Sequence, residues 1–170
     1  MSPANIFSLH LVLGYVAWFL CFRTYLWPWL RSMDPVDAQR AIATLHSFRF
    51  FGLVFIVPGV VGTGLPAYFT SFAAYGDLAT GVLALLALLA FRARAVFLPL
   101  VVAFNVVGTV DLFVDYVHAV HADLPAVAGE LGAAYVIPIL YVPLLAITHV
   151  AAFVLLLRPA TRPAQTHAGA

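Results

Sequence analysis

Long apolar stretches, separated by short polar or Gly- and Pro-rich links, run through most of the sequence. A helix needs about 20 apolar residues to cross the hydrocarbon core of a bilayer, and most of these stretches come close to that length. The pattern therefore predicts an all-α integral membrane protein, a bundle of five transmembrane helices. We place these helices at residues 6–27, 38–58, 77–91, 97–121 and 132–157.

The predicted helices form one domain over residues 1–157, since no internal repeat divides them. The second helix has a clear start signal, Asp34 at the N-cap position followed by Pro35. Residues 67–75 are too short to span a bilayer and are expected to lie in the membrane interface. The tail, residues 158–170, is rich in Pro and small residues and is expected to be disordered in the cytoplasm.

The composition agrees with lipid as the solvent. Hydrophobic residues make up 64% of the chain and charged residues 9%, and the mean hydropathy is +1.04. All basic residues are arginines, which excludes a lysine Schiff base. The net charge of +1 gives no reason to expect a nucleic-acid partner. The single cysteine, Cys21, excludes an internal disulfide and a thiolate metal cluster.

The arginines predict the orientation in the membrane. They follow the first, third and fifth predicted helices and are absent from the other two links, which hold acidic residues. Cytoplasmic loops carry the excess of basic residues, so the N-terminus is expected outside and the C-terminus in the cytoplasm, in the inner (plasma) membrane. The residues on which this depends are Arg31, Arg40, Arg92, Arg94, Arg158 and Arg162.

The fourth predicted helix carries more polar residues than a lipid-facing helix tolerates. Asp111, Asp115 and His118 fall within about 60° of one another on a helix. Asn105 lies on a different face. A carboxylate inside a spanning segment costs about 3 kcal/mol or more unless it faces a partner or water. These residues are therefore candidates for function.

Depth along the helices divides the ionisable residues into two predicted groups. The outer group, near the outer ends of the helices, comprises His10, Asp111, Asp115, His118 and His121, and Asp77 at the start of the third helix is a candidate to join it. The inner group, towards the cytoplasm, comprises His46, Arg49 and His149.

The first hypothesis is a buried polar pocket that binds a small hydrophobic, lipid-like molecule or acts on it by acid–base chemistry. Lipid favours the protonated form of a carboxyl group, so Asp111 can serve as acid or base, with His10 or His118 as its partner. Such a pocket needs no cofactor, and its expected partners are the ligand and membrane lipid. Its further lining residues are Asn105, Tyr135 and Tyr141. In the competing structural interpretation, Asp111 only hydrogen-bonds a neighbouring helix.

Two cofactors are alternatives. A b-type haem needs two histidines at one depth on different helices, and His46 with His149 meets that requirement. Zinc is the other, because Asp111, Asp115 and His118 offer three ligands on one helical face.

A small proton-coupled transporter is the last alternative. Buried acids and Pro-interrupted helices mark the paths of such carriers, and the fifth predicted helix contains Pro138 and Pro143. Five helices leave little room for alternating access, so this hypothesis favours a homo-oligomer.

Overall fold

The computed structural model describes residues 1–158, and these residues form helices and connecting turns with no β-strand. The all-α prediction is confirmed for this part of the chain. The predicted tail, apart from Arg158, lies outside the described residues. Four helical stretches are long and apolar enough to cross a membrane, namely Pro3–Ser32, Ala67–Leu89, Arg94–His121 and Ile137–Leu156.

The first stretch is a long helix with most of its apolar side chains exposed. Ser2 caps it, since the hydroxyl oxygen accepts the N–H of Asn5 at 3.2 Å. Exposed apolar side chains suit a helix that faces lipid on most sides. Its consecutive parts are α1 (Pro3–Cys21), a π-helical turn (Phe22–Leu26) and α2 (Trp27–Ser32).

The second predicted helix has two parts of different helix type. α3 (Pro35–His46) begins at the predicted cap, where the carboxylate of Asp34 accepts the N–H of Val36 at 2.9 Å. It continues directly as a 3₁₀ helix, Ser47–Ile56. At about 1.5 and 2.0 Å per residue the two parts can extend about 38 Å, which exceeds the hydrocarbon core of about 30 Å.

The third helix is longer than predicted. α4 (Ala67–Leu89) starts directly after Pro66 and includes residues 67–75, so the prediction of a separate interfacial segment is wrong. Gly76 lies inside the helix without ending it. A Cβ at that position would overlap the carboxylate of Asp111, so the bare Cα of this glycine is what lets the next helix approach.

The last predicted helix, 132–157, is interrupted. Gly132 has φ +52° and ψ −129°, a conformation that only glycine adopts readily. Pro138 and Pro143 predict a break, and a π-helical turn is found there. The remaining elements are α5 (Arg94–His121), a 3₁₀ helix (Ala128–Tyr135), the π turn (Ile137–Tyr141) and α6 (Val142–Leu156).

Two apolar clusters fill the two ends of the bundle. The large residues of one cluster, around the end of α4 and the start of α5, include Ile42, Phe97, Phe104 and Leu155. Those of the other, around the start of α4, include Phe7, Phe55, Phe69 and Leu131. Most of the buried side chains between the clusters are polar, and we call this region the polar layer. Its members are His46, Arg49, Asp77, Thr80, Asn105, Asp111, Thr148 and His149.

Glu130 fixes the loop before α4 to the loop that follows α5. Its carbonyl oxygen accepts the N–H of Gly62 at 2.6 Å, and its carboxylate accepts the N–H of Gly64 at 3.0 Å. Both loops are therefore held at the same end of the bundle.

Candidate functional site

Arg49 lies at the centre of the polar layer and has no exposed surface. Its Nε donates to Oδ1 of Asp77 at 2.6 Å, and its Nη2 donates to Oδ2 of Asp111. Its Nη1 donates to the carbonyl of Gly108 at 3.2 Å and to Nε2 of His149 at 3.3 Å. One guanidinium group thus ties the 3₁₀ helix after α3 to α4, α5 and α6.

The two aspartates occupy inward-facing positions of their helices. In both helices buried residues recur every three or four positions, which puts them on one face. Asp77 is 5% exposed and Asp111 is 3% exposed. The residues that share this face of α4 with Asp77 are small, namely Ala73, Ala74, Thr80, Gly81 and Ala84. Small neighbours leave space for the long side chain of Arg49.

Gly108 of α5 lets the charged side chains pack closely. A Cβ at this position would lie 2.6 Å from Nη1 of Arg49 and 2.6 Å from Nε2 of His149. Atoms that close would have to shift, so the side chains fill the space beside α5 completely. The charges are therefore enclosed by protein.

The hydrogen bonds define His149 as a neutral imidazole. Arginine only donates, so Nε2 of His149 accepts from Arg49 and carries no proton. Nδ1 then carries the proton and donates to Oδ1 of Asn105 at 2.9 Å. The amide of Asn105 donates in turn to the carbonyl of Val101 at 2.8 Å. Every polar atom of this imidazole therefore has a partner.

His46 extends the polar layer beyond His149. The two rings pack against each other with centroids 4.0 Å apart. Nε2 of His46 lies 3.0 Å from the hydroxyl of Thr148, which donates to the carbonyl of Leu144 at 2.8 Å. Nε2 of His46 is therefore the donor of that pair, and its Nδ1 is a buried acceptor that has no partner among residues 1–158.

His10 does not reach Asp111, which corrects the predicted acid–base pair. Its Nδ1 lies 3.1 Å from the hydroxyl of Tyr135, and the two rings pack edge to face. Because α1 carries His10 along the exposed side of the bundle, its contact is with the loop region before α6.

The division into an outer and an inner group is also wrong. Asp111 of the outer group and Asp77, the candidate to join it, are both bonded to Arg49 of the inner group. The reason is the helix start at Ala67, which moves Asp77 from a helix end to the helix interior.

Asp115 and His118 follow Asp111 along α5 and are half-buried. The ring of His118 packs edge-on against the rings of Tyr68 and Phe72, with centroids 5.3 and 5.1 Å away. Oδ1 of Asp115 and Nδ1 of His118 have no hydrogen-bond partner within the described residues. These groups therefore prolong the polar layer towards the end of α5.

The geometry does not fit either cofactor alternative. Within residues 1–158, no three His, Cys, Asp or Glu side chains converge so that they could hold a metal ion, so the geometry lends no support to the zinc hypothesis for Asp111, Asp115 and His118. The rings of His46 and His149 are in direct contact. A haem macrocycle does not fit between rings in this arrangement.

The predicted pocket residues have different neighbours. Asn105 belongs to the polar layer and bonds His149, whereas Tyr135 bonds His10. The hydroxyl of Tyr141 lies 3.4 Å from the carbonyl of Leu45. Of the three, Asn105 is therefore the one that joins the hydrogen-bond network of Arg49, through His149.

Two central residues were missed as site residues, Arg49 and Asp77. The signal for Asp77 was present in the row of small residues spaced three or four apart on both sides of it. For Arg49 the signal was its position in the apolar run of residues 48–57, nine residues before Pro58. An arginine that deep needs a buried counterion.

Comparison with known proteins gives a family without an assigned activity. No curated protein and no solved structure matches the chain. A family profile covers residues 6–157, which include every residue of the polar layer. The chain belongs to the family described as Domain of unknown function (DUF8737).

Proposed function

We propose that this protein moves protons across the membrane through its polar layer. The observation that carries the proposal is the sharing of one fully buried guanidinium, that of Arg49, by two buried carboxyl groups, those of Asp77 and Asp111.

Charge balance requires an exchangeable proton in this group. Arginine stays protonated in proteins, so Arg49 neutralises one carboxylate only. An unpaired buried charge costs about 3–5 kcal/mol, and the second carboxyl group avoids that cost by holding a proton. If Arg49 pairs more closely with Asp77, the proton belongs on Asp111. If Arg49 pairs more closely with Asp111, the proton belongs on Asp77. Exchange of the pairing therefore moves a proton between α4 and α5.

Further polar side chains continue from this group in both directions. Towards the end of α5 they lie one turn apart, and towards α3 they are in contact with one another. Proton relays in membrane pumps and transporters are built from such series of acidic residues and histidines. The titratable residues on the two sides are Asp111, Asp115 and His118 along α5, and His149 and His46 beyond Arg49, which keeps its own proton and positions the carboxyl groups.

Close packing favours proton exchange over a ligand bound at Asp111. Gly76 and Gly108 bring backbone against the charged side chains, and a single methyl group at either position would collide with them. A proton needs no cavity, whereas a lipid-like ligand does. The hydrophobic-ligand hypothesis therefore has less support at this site.

We infer five membrane crossings, with the N-terminus outside and the C-terminus in the cytoplasm of an inner membrane. Arg49 meets Asp77 and Asp111 near the middle of α4 and α5. The segment Pro35–Ile56 thus reaches the same depth as two spanning helices. With five crossings, the arginine-rich links all lie on one side, in agreement with the positive-inside rule.

Infrared spectroscopy of the purified protein tests for the proton. At neutral pH we expect the C=O band of a protonated carboxyl group, which shifts in D₂O and disappears in Asp111→Asn or Asp77→Asn. Asp123→Asn is the matched control, since Asp123 is exposed and its φ of +46° suits Asn as well. A spectrum without this band contradicts the proposal.

Proton movement is measured in liposomes that enclose a pH-sensitive dye and carry an imposed potassium diffusion potential. With wild type and with Asp123→Asn, we expect protons to enter faster than they enter empty liposomes. With Asp111→Asn, we expect the rate of proton entry to equal that of empty liposomes. If liposomes that contain folded wild-type protein take up protons no faster than empty liposomes, the proposal is wrong and the network serves helix packing.

A further inference from the structure

An open groove of about 360 Å³ lies between the first helix and α6, away from the polar layer. Its volume falls in the range of small-molecule sites. Apolar side chains such as Phe22, Trp27, Ala151 and Val154 line it, and Arg23 is the one charged residue among them. The groove surface is almost entirely apolar, so Arg23 lines it with the aliphatic part of its side chain and holds its guanidinium at the rim.

Arg23 has no carboxylate partner among the residues that the structure describes. The ion pairs among residues 1–158 are those that Arg49 makes. Arg23 lies one turn before Trp27, and Trp27 and Trp29 are residues of the type that marks a membrane interface, so the charge of Arg23 is expected just inside that level. A charge at that depth is expensive without a counterion. The phosphate groups of lipids lie at this level and can supply one.

A second arginine stands close to the same end of the groove. The guanidinium carbon of Arg31 lies 5.8 Å from the centroid of the Trp27 ring, which it contacts as a cation–π pair. Both arginines are exposed. Arg31 does not line the groove, but its contact with Trp27 adds a second positive charge beside one wall residue, which favours an anionic ligand over a neutral one.

The π turn shapes this groove. The N–H of Trp27 donates to the carbonyl of Phe22, five residues earlier, and Pro28 has no N–H to restore the regular pattern. π turns widen a helix locally and are frequent at functional sites. This one carries Phe22 and Arg23 of the groove wall.

We propose that the groove binds one acyl chain of an anionic phospholipid, with the lipid phosphate on Arg23. The apolar walls take the chain, and the unpaired guanidinium takes the phosphate as a charge-assisted hydrogen-bond partner. A second copy of the chain fits less well, because it would bury Arg23 without a carboxylate to meet it.

Native mass spectrometry of the protein with a mixture of phosphatidylglycerol and phosphatidylcholine tests the selectivity. We expect one retained lipid, with phosphatidylglycerol preferred about fivefold, the factor that one basic residue contributes near an anionic surface. Arg23→Gln should lose the preference. The matched control is Arg94→Gln, an exposed arginine outside the groove. Equal retention of both lipids, or an unchanged preference in Arg23→Gln, overturns the proposal.

Fluorescence locates the lipid. In Trp18→Phe/Trp29→Phe, Trp27 is the remaining tryptophan, and brominated phosphatidylglycerol should quench it more than brominated phosphatidylcholine does. If this variant does not fold, the loss of quenching in Trp27→Phe relative to wild type gives the same information. Quenching of Trp27 by neither lipid would mean that a second copy covers the groove, which also overturns the proposal.

Discussion

The guanidinium of Arg49 and the carboxylate of Asp111 are bonded to each other across 62 residues of sequence, in the polar layer between two apolar clusters. This bond joins the 3₁₀ helix after α3 to α5, and the bond of Arg49 to Asp77 adds α4. Buried ion pairs cost desolvation energy that packing alone would avoid. Their position in this bundle is therefore best explained by a role that needs charge.

Arg49→Gln is expected to lower the free energy of unfolding by about 3–5 kcal/mol, because it leaves two carboxyl groups without their cation. The double variant Arg49→Gln/Asp111→Asn should be more stable than Arg49→Gln alone, since it removes one of them. Thermal unfolding in detergent measures both. Arg94→Gln is the control and should unfold like wild type. If the second substitution only adds to the damage, the two residues do not interact as described.

Gly108→Ala is expected to destabilise the bundle by about 1–3 kcal/mol, the usual range for overpacking. Its new methyl group would lie 2.6 Å from atoms of both Arg49 and His149. Gly129→Ala is the matched control, because nothing lies within 4 Å of a Cβ there. The same unfolding assay compares the two. Equal stability of both variants would show that the helices can separate to admit a methyl group.

Asn105→Leu is expected to cost about 1–3 kcal/mol, because it leaves the Nδ1–H of His149 buried without an acceptor. Nitrogen-15 NMR of labelled histidine should identify the Nδ1–H tautomer of His149 in the wild type, assigned by its loss in His149→Gln. Val106→Leu, at an exposed neighbouring position, serves as the control. A wild-type His149 that carries its proton on Nε2 would contradict the hydrogen-bond assignment.

The number of crossings can be measured with fusions at the two ends. A fluorescent reporter that matures only in the cytoplasm, fused after Leu157, should be fluorescent. An epitope tag before Met1 should be accessible to antibody from outside the inner membrane. Five crossings require the ends on opposite sides, and detection of both ends on one side would mean an even number.

The sequence predicts the helical class and the start of α3 because these depend on local signals, the long apolar runs and the Asp34–Pro35 cap. It misplaces the start of α4 because Gly76 has the local character of a helix breaker. Only the packing of Asp111 against that glycine explains why the helix continues. This is a contact between residues of different helices, which local patterns do not contain.

The candidate site was predicted in parts. Asp111 was expected to be buried, and His46 was expected at the depth of His149, with which it is in contact. The connection between the groups was missed because depth was counted from backbone positions. Arg49 has a long side chain, and its reach brings two predicted levels into one network.

The residues of the polar layer are synthesised at different times, and this order has a consequence for membrane insertion. Arg49 leaves the ribosome 28 residues ahead of Asp77 and 62 residues ahead of Asp111, and chains emerge from the N-terminus first. During that interval the segment Pro35–Ile56 holds a cation without its counterions. In the proposed five-crossing topology, stable insertion of this segment therefore waits for α4 and α5. That topology predicts that the insertion machinery retains three segments together, and that nascent chains ending before α5 are substrates for membrane quality control.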